Sequence, residues 1–220
     1  EVNVVTLEDP VEVIINGVNQ MMVNSKEGIS FADGLRSVMR QDPDVIMVGE
    51  IRDEETAAMA VRAALTGHKV YTTIHSTEPR EVYLRLEEMG IKSYLIRESL
   101  VGIISQRLIK MLCDSCKEEE IITYKDNKVK IYKKGDGCEK CNFTGYLGRA
   151  LIISVNEINK NLKKKLVKLY DNNTILTNIQ MVDNLNNLLL TGKISRLDYM
   201  EFIDREELDF DYEGSFKAES

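Results

Sequence analysis

The chain has no tryptophan, only three prolines and two histidines, and four cysteines in 220 residues. No apolar run approaches the roughly 18 to 20 residues needed to span a bilayer, and the amino end lacks a basic stretch followed by an apolar one. A helical membrane anchor and a secretory signal are thus excluded within these residues, and a cytoplasmic location is expected. Positive charge is also short: 29 Lys and Arg stand against 36 Asp and Glu, a net charge of -7. Nucleic-acid binding as the main purpose is therefore not expected. The lysines between 160 and 168 form a local basic cluster, in which Lys163, Lys164 and Lys165 read as one solvated helix face. Hydrophobic residues at 43% and charged ones at 30% exclude a disordered or fibrous chain and leave enough apolar surface for a real core.

Strands and helices alternate along the first half. Val2 to Leu7 reads as a strand ended by Glu8-Asp9-Pro10, and its abrupt opening suggests a chain that begins mid-domain. Asn16-Gly17 predicts a hairpin between Val11-Ile15 and Val18-Val23. Ser30 and Asp33 form a capping-box-like start to a helix that Asp42-Pro43 stops. The run DPDVIMVGEIRD, 42 to 53, holds four apolar residues rich in β-branched types and then Gly49 and Glu50, as a strand buried on both faces with an acid at its end. Its alternative reading is a capped core strand before a charged helix start. Ala57 to Leu65 is helical, with acids ahead of it and Gly67 after it. Lys69 to Ile74 is a further strand, Pro79 opens a helix closed by Gly90, and Tyr94 to Leu112 is expected as another helix. Such alternation predicts an α/β fold with a mostly parallel sheet. Beyond it, Arg149 to Val155 is a candidate last strand. Leu162 to Leu169, Ile175 to Leu190 and Ser195 to Ile203 are short helices, and 206 to 220 an acidic, frayed end.

Two groups of residues carry chemistry. Cys113-x-x-Cys116 and Cys138-x-x-Cys141 match a closed four-thiolate site, structural because no position is left for water. A redox reading explains one pair and leaves the other unused. Along the chain, Glu8 and Asp9, Glu50, and His75 each follow a strand. In open α/β sheets ligands bind beyond the carboxyl ends of the strands. There these groups can position a water, a magnesium ion and a terminal phosphate, with one carboxylate as general base. Arg36, Arg40, Arg52 and Arg107 are candidates for stabilising transition-state charge, across a subunit boundary if need be. For His68, packing or a surface hydrogen bond is as good an account as chemistry.

The segments EDPVE (8–12), GLRSVMRQDPDVIMVGEIRD (34–53) and TGHKVYTTIHST (66–77), in this order, resemble the Asp box, Walker B and His box of the type II secretion and type IV pilus assembly ATPases. The likeness continues through RLEEMG (85–90), QRL (106–108), the cysteine pairs and CNFTGYLGR (141–149), about two-thirds of the chain. The resemblance implies a RecA-like P-loop NTPase core over 1–112, a tetracysteine zinc module over 113–145, and a strand with helices and an acidic tail over 146–220. It implies a homo-hexameric motor, peripheral at the cytoplasmic face of the inner membrane, that hydrolyses ATP with Mg2+ and passes force to a membrane platform protein. By the same likeness Glu8 is the catalytic base, Glu50 the Walker B acid acting through magnesium, and His75 a γ-phosphate contact. Asp9 and His68 support them, and Arg36 and Arg40 approach a neighbouring subunit's nucleotide. Structural Zn2+ on the four cysteines favours the extension or secretion branch over retraction.

Two features depart from the family. There is no G-x-x-x-x-G-K-[ST]; the only Gly-Lys, Gly192-Lys193, is followed by Ile194. The resemblance then implies a fragment starting after the P-loop and inactive alone, since the amides and lysine that hold phosphates are missing. The second departure is ALIISVNEI after Arg149, where the family has a Thr-Gly-Ile-Tyr-Glu-like strand. The competing expectation is a non-catalytic, zinc-bearing interaction or regulatory module on the motor fold.

Overall fold

The computed structural model describes residues 2–24, 28–76, 78–124, 127–160, 163, 178–206, 208 and 216–218. They divide into two compact units, Glu1–Val101 with Ile158–Ile175, and Gly102–Glu157 with Leu176–Ser220.

The first unit is built on four parallel strands in the order β2-β1-β3-β4: β1 Val4–Glu8, β2 Asn19–Met22, β3 Val45–Val48 and β4 Lys69–Thr72. Helix α1 (Phe31–Val38) connects β2 to β3, and α2 (Glu54–Leu65) connects β3 to β4. Each begins at a side-chain cap. Ser30 Oγ accepts the Asp33 N–H, and Asp53 Oδ1 accepts the Thr56 N–H at 2.8 Å, satisfying amides that have no partner in a helix's first turn. Val5, Leu7, Ile46 and Val48 of the strands are buried with Leu35 and Val38 of α1 and Ala57 and Ala60 of α2. Val45 and Met47, on the other face of β3, are only half-buried, so that strand is covered more fully on one face than on the other. Helices α3 (Pro79–Glu88) and α4 (Ser93–Ser99) follow; the Tyr83 hydroxyl donates to the Ser93 carbonyl at 2.8 Å.

The expected hairpin at Asn16-Gly17 is not formed, although the turn is: Val18 N–H donates to the Ile15 carbonyl and Gly17 has φ +83°. Residues 11–15 pair with no strand, because the Gln20 side chain satisfies Val13 O and Ile15 N–H, and β2 takes the open edge of β1 in parallel. The helix expected over Tyr94 to Leu112 stops at Ser99. Leu100 is extended at ψ 123°, and Gly102–Leu112 is strand β5. Gly102 and the β-branched pair Ile103-Ile104 lower helix propensity there, and the strand finds a long partner.

That partner is β8 (Tyr146–Glu157), antiparallel to β5 in the second unit, with Ile104 opposite Val155 and Leu108 opposite Leu151. Strands β6 (Glu118–Tyr124) and β7 (Asn127–Lys133) form a hairpin, and β9 (Phe216–Ala218) adds antiparallel to β6, so these three residues of the acidic end are ordered into a sheet. Helices α5 (Ile179–Leu190) and α6 (Arg196–Arg205, capped by Ser195) close the core. Ile109, Ile122, Ile131 and Ile152 of the strands are buried there with Met181, Leu185, Leu189, Tyr199 and Phe202. Apart from Lys163, the Leu162–Leu169 helix lies outside the described residues, as do the start of the Ile175 helix and most of the lysine cluster.

Candidate functional site

Because all four strands of the first unit run the same way, their carboxyl ends share one edge. β1 ends in Glu8; β3 is followed by Gly49 and Glu50; β4 leads to Thr73 and His75. Backbone bonds extend the pairing past the strands: Gly49 N–H donates to Leu7 O at 2.7 Å, and Ile51 N–H to Thr73 O at 3.1 Å. Thr73 Oγ1 donates to Gly49 O at 2.6 Å. A Cβ at residue 49 would stand 3.0 Å from Leu7 O and 3.6 Å from Glu8 Cα, so glycine lets the ends of β1 and β3 approach.

The Glu8 carboxylate accepts from Thr6 Oγ1 and from Gln20 Nε2 at 2.9 Å, both on Oε1. Those two donors, Gln20 first, hold it below the ordinary carboxylate value of 4.5 against the opposing effect of partial burial, with a smaller contribution from the Glu12 amide. Glu8 is thus an ionised carboxylate at neutral pH. The Glu50 side chain is only 15% exposed, with His75 Nε2 3.5 Å and Arg52 Nε 2.5 Å from its Oε2. Arg52 lies close but off the axis of a hydrogen bond; Oε2 is buried and accepts none. His75 itself is 86% exposed, its imidazole open to an incoming group. A cleft of about 400 Å³ lies at this edge, lined by Asp9, Pro10, Met22, Val23 and Asn24.

The structure therefore brings Glu50, His75 and Arg52 together and sets Glu8 and Asp9 on the same edge. The other candidates stand elsewhere. His68 precedes β4, at the amino edge; at about 3.3 Å per residue the strand alone sets it about 13 Å from the carboxyl edge. Its Nδ1 lies 3.0 Å from Ala63 O at the end of α2, the surface hydrogen bond that was its plainer reading. Arg36 is bound by Asp33 at 2.8 Å and by Glu55, whose carboxylate chiefly keeps its guanidinium protonated, and Arg40 donates to Arg36 O. Arg107 belongs to β5 in the second unit and pairs with Glu206 at 2.6 Å. Thr6, Gln20 and Thr73 escaped the sequence reading. For Thr6 a signal existed, since strand alternation puts it on the face of Glu8.

The four cysteines converge in the second unit, their sulfurs all within 4.8 Å of one another. Cys113 to Cys138 and Cys116 to Cys141 are each 3.8 Å, and Cys138 to Cys141 is 3.9 Å. A tetrahedral ion with sulfur ligands at about 2.3 Å has edges of about 3.8 Å, so the spacing fits a metal. The Cys138 and Gly145 amides donate to Cys141 Sγ at 3.2 and 3.3 Å and pull its thiol down to about 6. Desolvation and the neighbouring thiols push Cys116 up to about 12.

The α/β fold with a parallel sheet is shared with solved ATPases of the RecA-like class. The pilus retraction motor PilT with bound ADP superposes with a TM-score of 0.61 at 29% identity, over 90% of this chain and 52% of that one. The ATPase DotB of Legionella pneumophila shares the fold at a TM-score of 0.62 and 22% identity, over 92% of this chain and 52% of that one. A family model described as Type II/IV secretion system protein matches residues 1–196, and the chain belongs to that family. The type II secretion system protein E of Dickeya dadantii is 46% identical over 156 residues, 68% of this chain and 31% of that protein. The type IV pilus assembly ATPase PilB of Thermus thermophilus is 42% identical over 176 residues, 75% of this chain and 20% of that protein. The matched region thus spans a third or less of the length of these curated relatives. No helix among the described residues is long and apolar enough to cross a membrane.

Proposed function

We propose that the chain supplies the base and magnesium-facing half of a motor ATPase that drives type IV pilus extension or type II secretion. The observation that carries this reading is the cluster at Glu50, a largely buried carboxylate beyond the end of β3 whose Oε2 has Arg52 Nε at 2.5 Å and His75 Nε2 at 3.5 Å. A carboxylate in that place is a ligand of the type that suits a magnesium ion or its water shell, and Arg52 and His75 offset its charge. Magnesium, when present with ATP, neutralises charge on the phosphates. Glu50 would hold that ion's water shell, Glu8 would accept the proton of the attacking water, and His75, 3.5 Å from Glu50, would contact the terminal phosphate. Asp9 lines the adjoining cleft. The 220 residues hold no phosphate-cradling lysine loop, so by themselves they are expected to bind ATP weakly and hydrolyse none.

The same reading assigns a homo-hexamer, peripheral at the cytoplasmic face of the inner membrane, with Arg36 and Arg40 turned to a neighbour's nucleotide and a membrane platform protein receiving the force. Cys113, Cys116, Cys138 and Cys141 hold one structural Zn2+, which favours extension or secretion. ATP hydrolysis by the gene product as encoded, with Glu8→Gln and Glu50→Gln beside the parent, tests the reading. Both variants are expected to fall at least about 100-fold; either one at the parental rate overturns its assignment. If neither variant nor the parent hydrolyses ATP while zinc is bound and the fold intact, the non-catalytic module is the better account.

A further inference from the structure

Glu8 stands at the carboxyl end of strand β1, where a lone carboxylate on a flexible side chain samples several rotamers. Something must hold it. Parallel pairing of β1 with β2 sets Gln20 directly beside Thr6, two residues before Glu8 on the same face. The Gln20 carboxamide makes three bonds that fix its own orientation. Its NH2 has two hydrogens and two acceptors, Glu8 Oε1 at 2.9 Å and Val13 O at 2.9 Å. Its oxygen accepts the Ile15 N–H at 2.7 Å. The flipped amide would set an oxygen against a carboxylate and a carbonyl and a nitrogen against an N–H, so only one orientation is consistent.

Both side-chain donors to Glu8 end on Oε1 and so fix one oxygen of the carboxylate, with the Glu12 amide as a weaker third donor. The same carboxamide ties down a loop whose Val13, Ile14 and Ile15 are 68%, 86% and 52% exposed. No other side chain is bonded to both the candidate base and this loop among the described contacts.

We propose that Gln20 is the positioning residue of the catalytic base: it clamps the 13–15 loop and, braced by that loop, holds Oε1 of Glu8 and so orients the carboxylate toward the attacking water. The proposal rests on Glu8 being the base. A role confined to the loop would instead leave the rate untouched whenever the loop stays clamped.

Two variants of the gene product as encoded separate these accounts. Gln20→Met has similar length and makes none of the three bonds. Gln20→Glu keeps an oxygen for Ile15 N–H but replaces the neutral donor to Glu8 with a second carboxyl group. Amide hydrogen exchange at Ile15 and steady-state ATP hydrolysis are read on both, with Glu8→Gln alongside. The expected result is a kcat about 10- to 100-fold lower in both Gln20 variants with KM for MgATP within about twofold, since misplacing a reacting group chiefly costs turnover. Ile15 exchange should quicken in Gln20→Met and stay slow in Gln20→Glu, and the acid limb of the kcat profile should move to higher pH in Gln20→Glu. A parental kcat in Gln20→Glu with a slowed Gln20→Met reduces Gln20 to a loop clamp and overturns the proposal. A parental kcat in Glu8→Gln removes the base assignment itself and the proposal with it.

Discussion

Gly135, between β7 and the second cysteine pair, is a steric keystone of the four-cysteine centre. A Cβ built there stands 1.8 Å from the Cys116 carbonyl oxygen and 3.0 Å from its carbonyl carbon. Both atoms are backbone, so no side chain can swing aside. Restoring a tolerable contact near 3.0 Å, the tightest that real Cβ atoms show, requires a shift of about 1.2 Å. Cys116 Sγ sits 3.8 Å from Cys141 Sγ, and metal ligands must lie within about 0.2 Å of their ideal distance. The expected effect of Gly135→Ala is to move the Cys116 thiol by several times that tolerance. Overpacking of this kind costs about 1–3 kcal/mol, which at about 1.4 kcal/mol per decade is a 5- to 150-fold loss of zinc affinity. Competition against a chromophoric chelator at neutral pH measures it, with total metal analysis confirming about one zinc per chain in the parent. A Gly135→Ala protein that holds zinc as tightly as the parent would refute the argument. So would a parent that carries no metal yet resists unfolding equally with and without chelator.

Cys138→Ser should loosen the region around the cysteines while the parallel sheet of the first unit still unfolds cooperatively, checked by residue-resolved hydrogen exchange; loss of all protection in β1 and β3 would contradict it. Leu7→Ala removes a side chain that is 0% exposed, packed within reach of Gly34, and should cost about 2–5 kcal/mol in urea unfolding. Asp53→Ala removes the cap that accepts the Thr56 N–H and hydroxyl and should cost about 0.5–2 kcal/mol by the same assay, with Asp53→Asn close to the parent. The lowered pKa of Glu8 predicts a pH effect of defined sign: its contribution is complete above the unfolded carboxylate value and is lost as pH falls through the folded one. The stability gap between the parent and Glu8→Gln should therefore shift against the parent between pH 7 and pH 3, and a gap that stays constant would show that Glu8 gains nothing from its donors.

The strand ends were readable along the chain because their signals are local. Val45 to Val48 is short and apolar, Gly49 breaks it, and an acid follows; Ser30 and Asp53 announce their helices through side chains three residues from the amides they cap. The cysteine spacing was likewise local. Two tight turns, each with two thiolates, need only be brought face to face, and the sulfur distances of 3.8 Å show that they are.

What the sequence by itself determined, then, is the run of strands β1, β3 and β4 with helices α1 to α3, and the identity of the groups placed at the strand ends and in the cysteine turns. Tertiary structure decided the partners. Asn16-Gly17 carries the same turn signal whether or not a hairpin follows, and β2 became a parallel neighbour of β1 because that edge was open and Gln20 satisfied the loop amides. Residues 102–112 became a strand because β8 offered eleven residues a long antiparallel ladder, which outweighs a helix preference of tenths of a kcal/mol per residue. His68 and His75 look alike in sequence, seven positions apart, but strand β4 separates them, leaving one at a helix end and the other beside Glu50. Gln20 carried no signal at all: its meaning depends on the register that sets it against Thr6, and register is a property of two strands together.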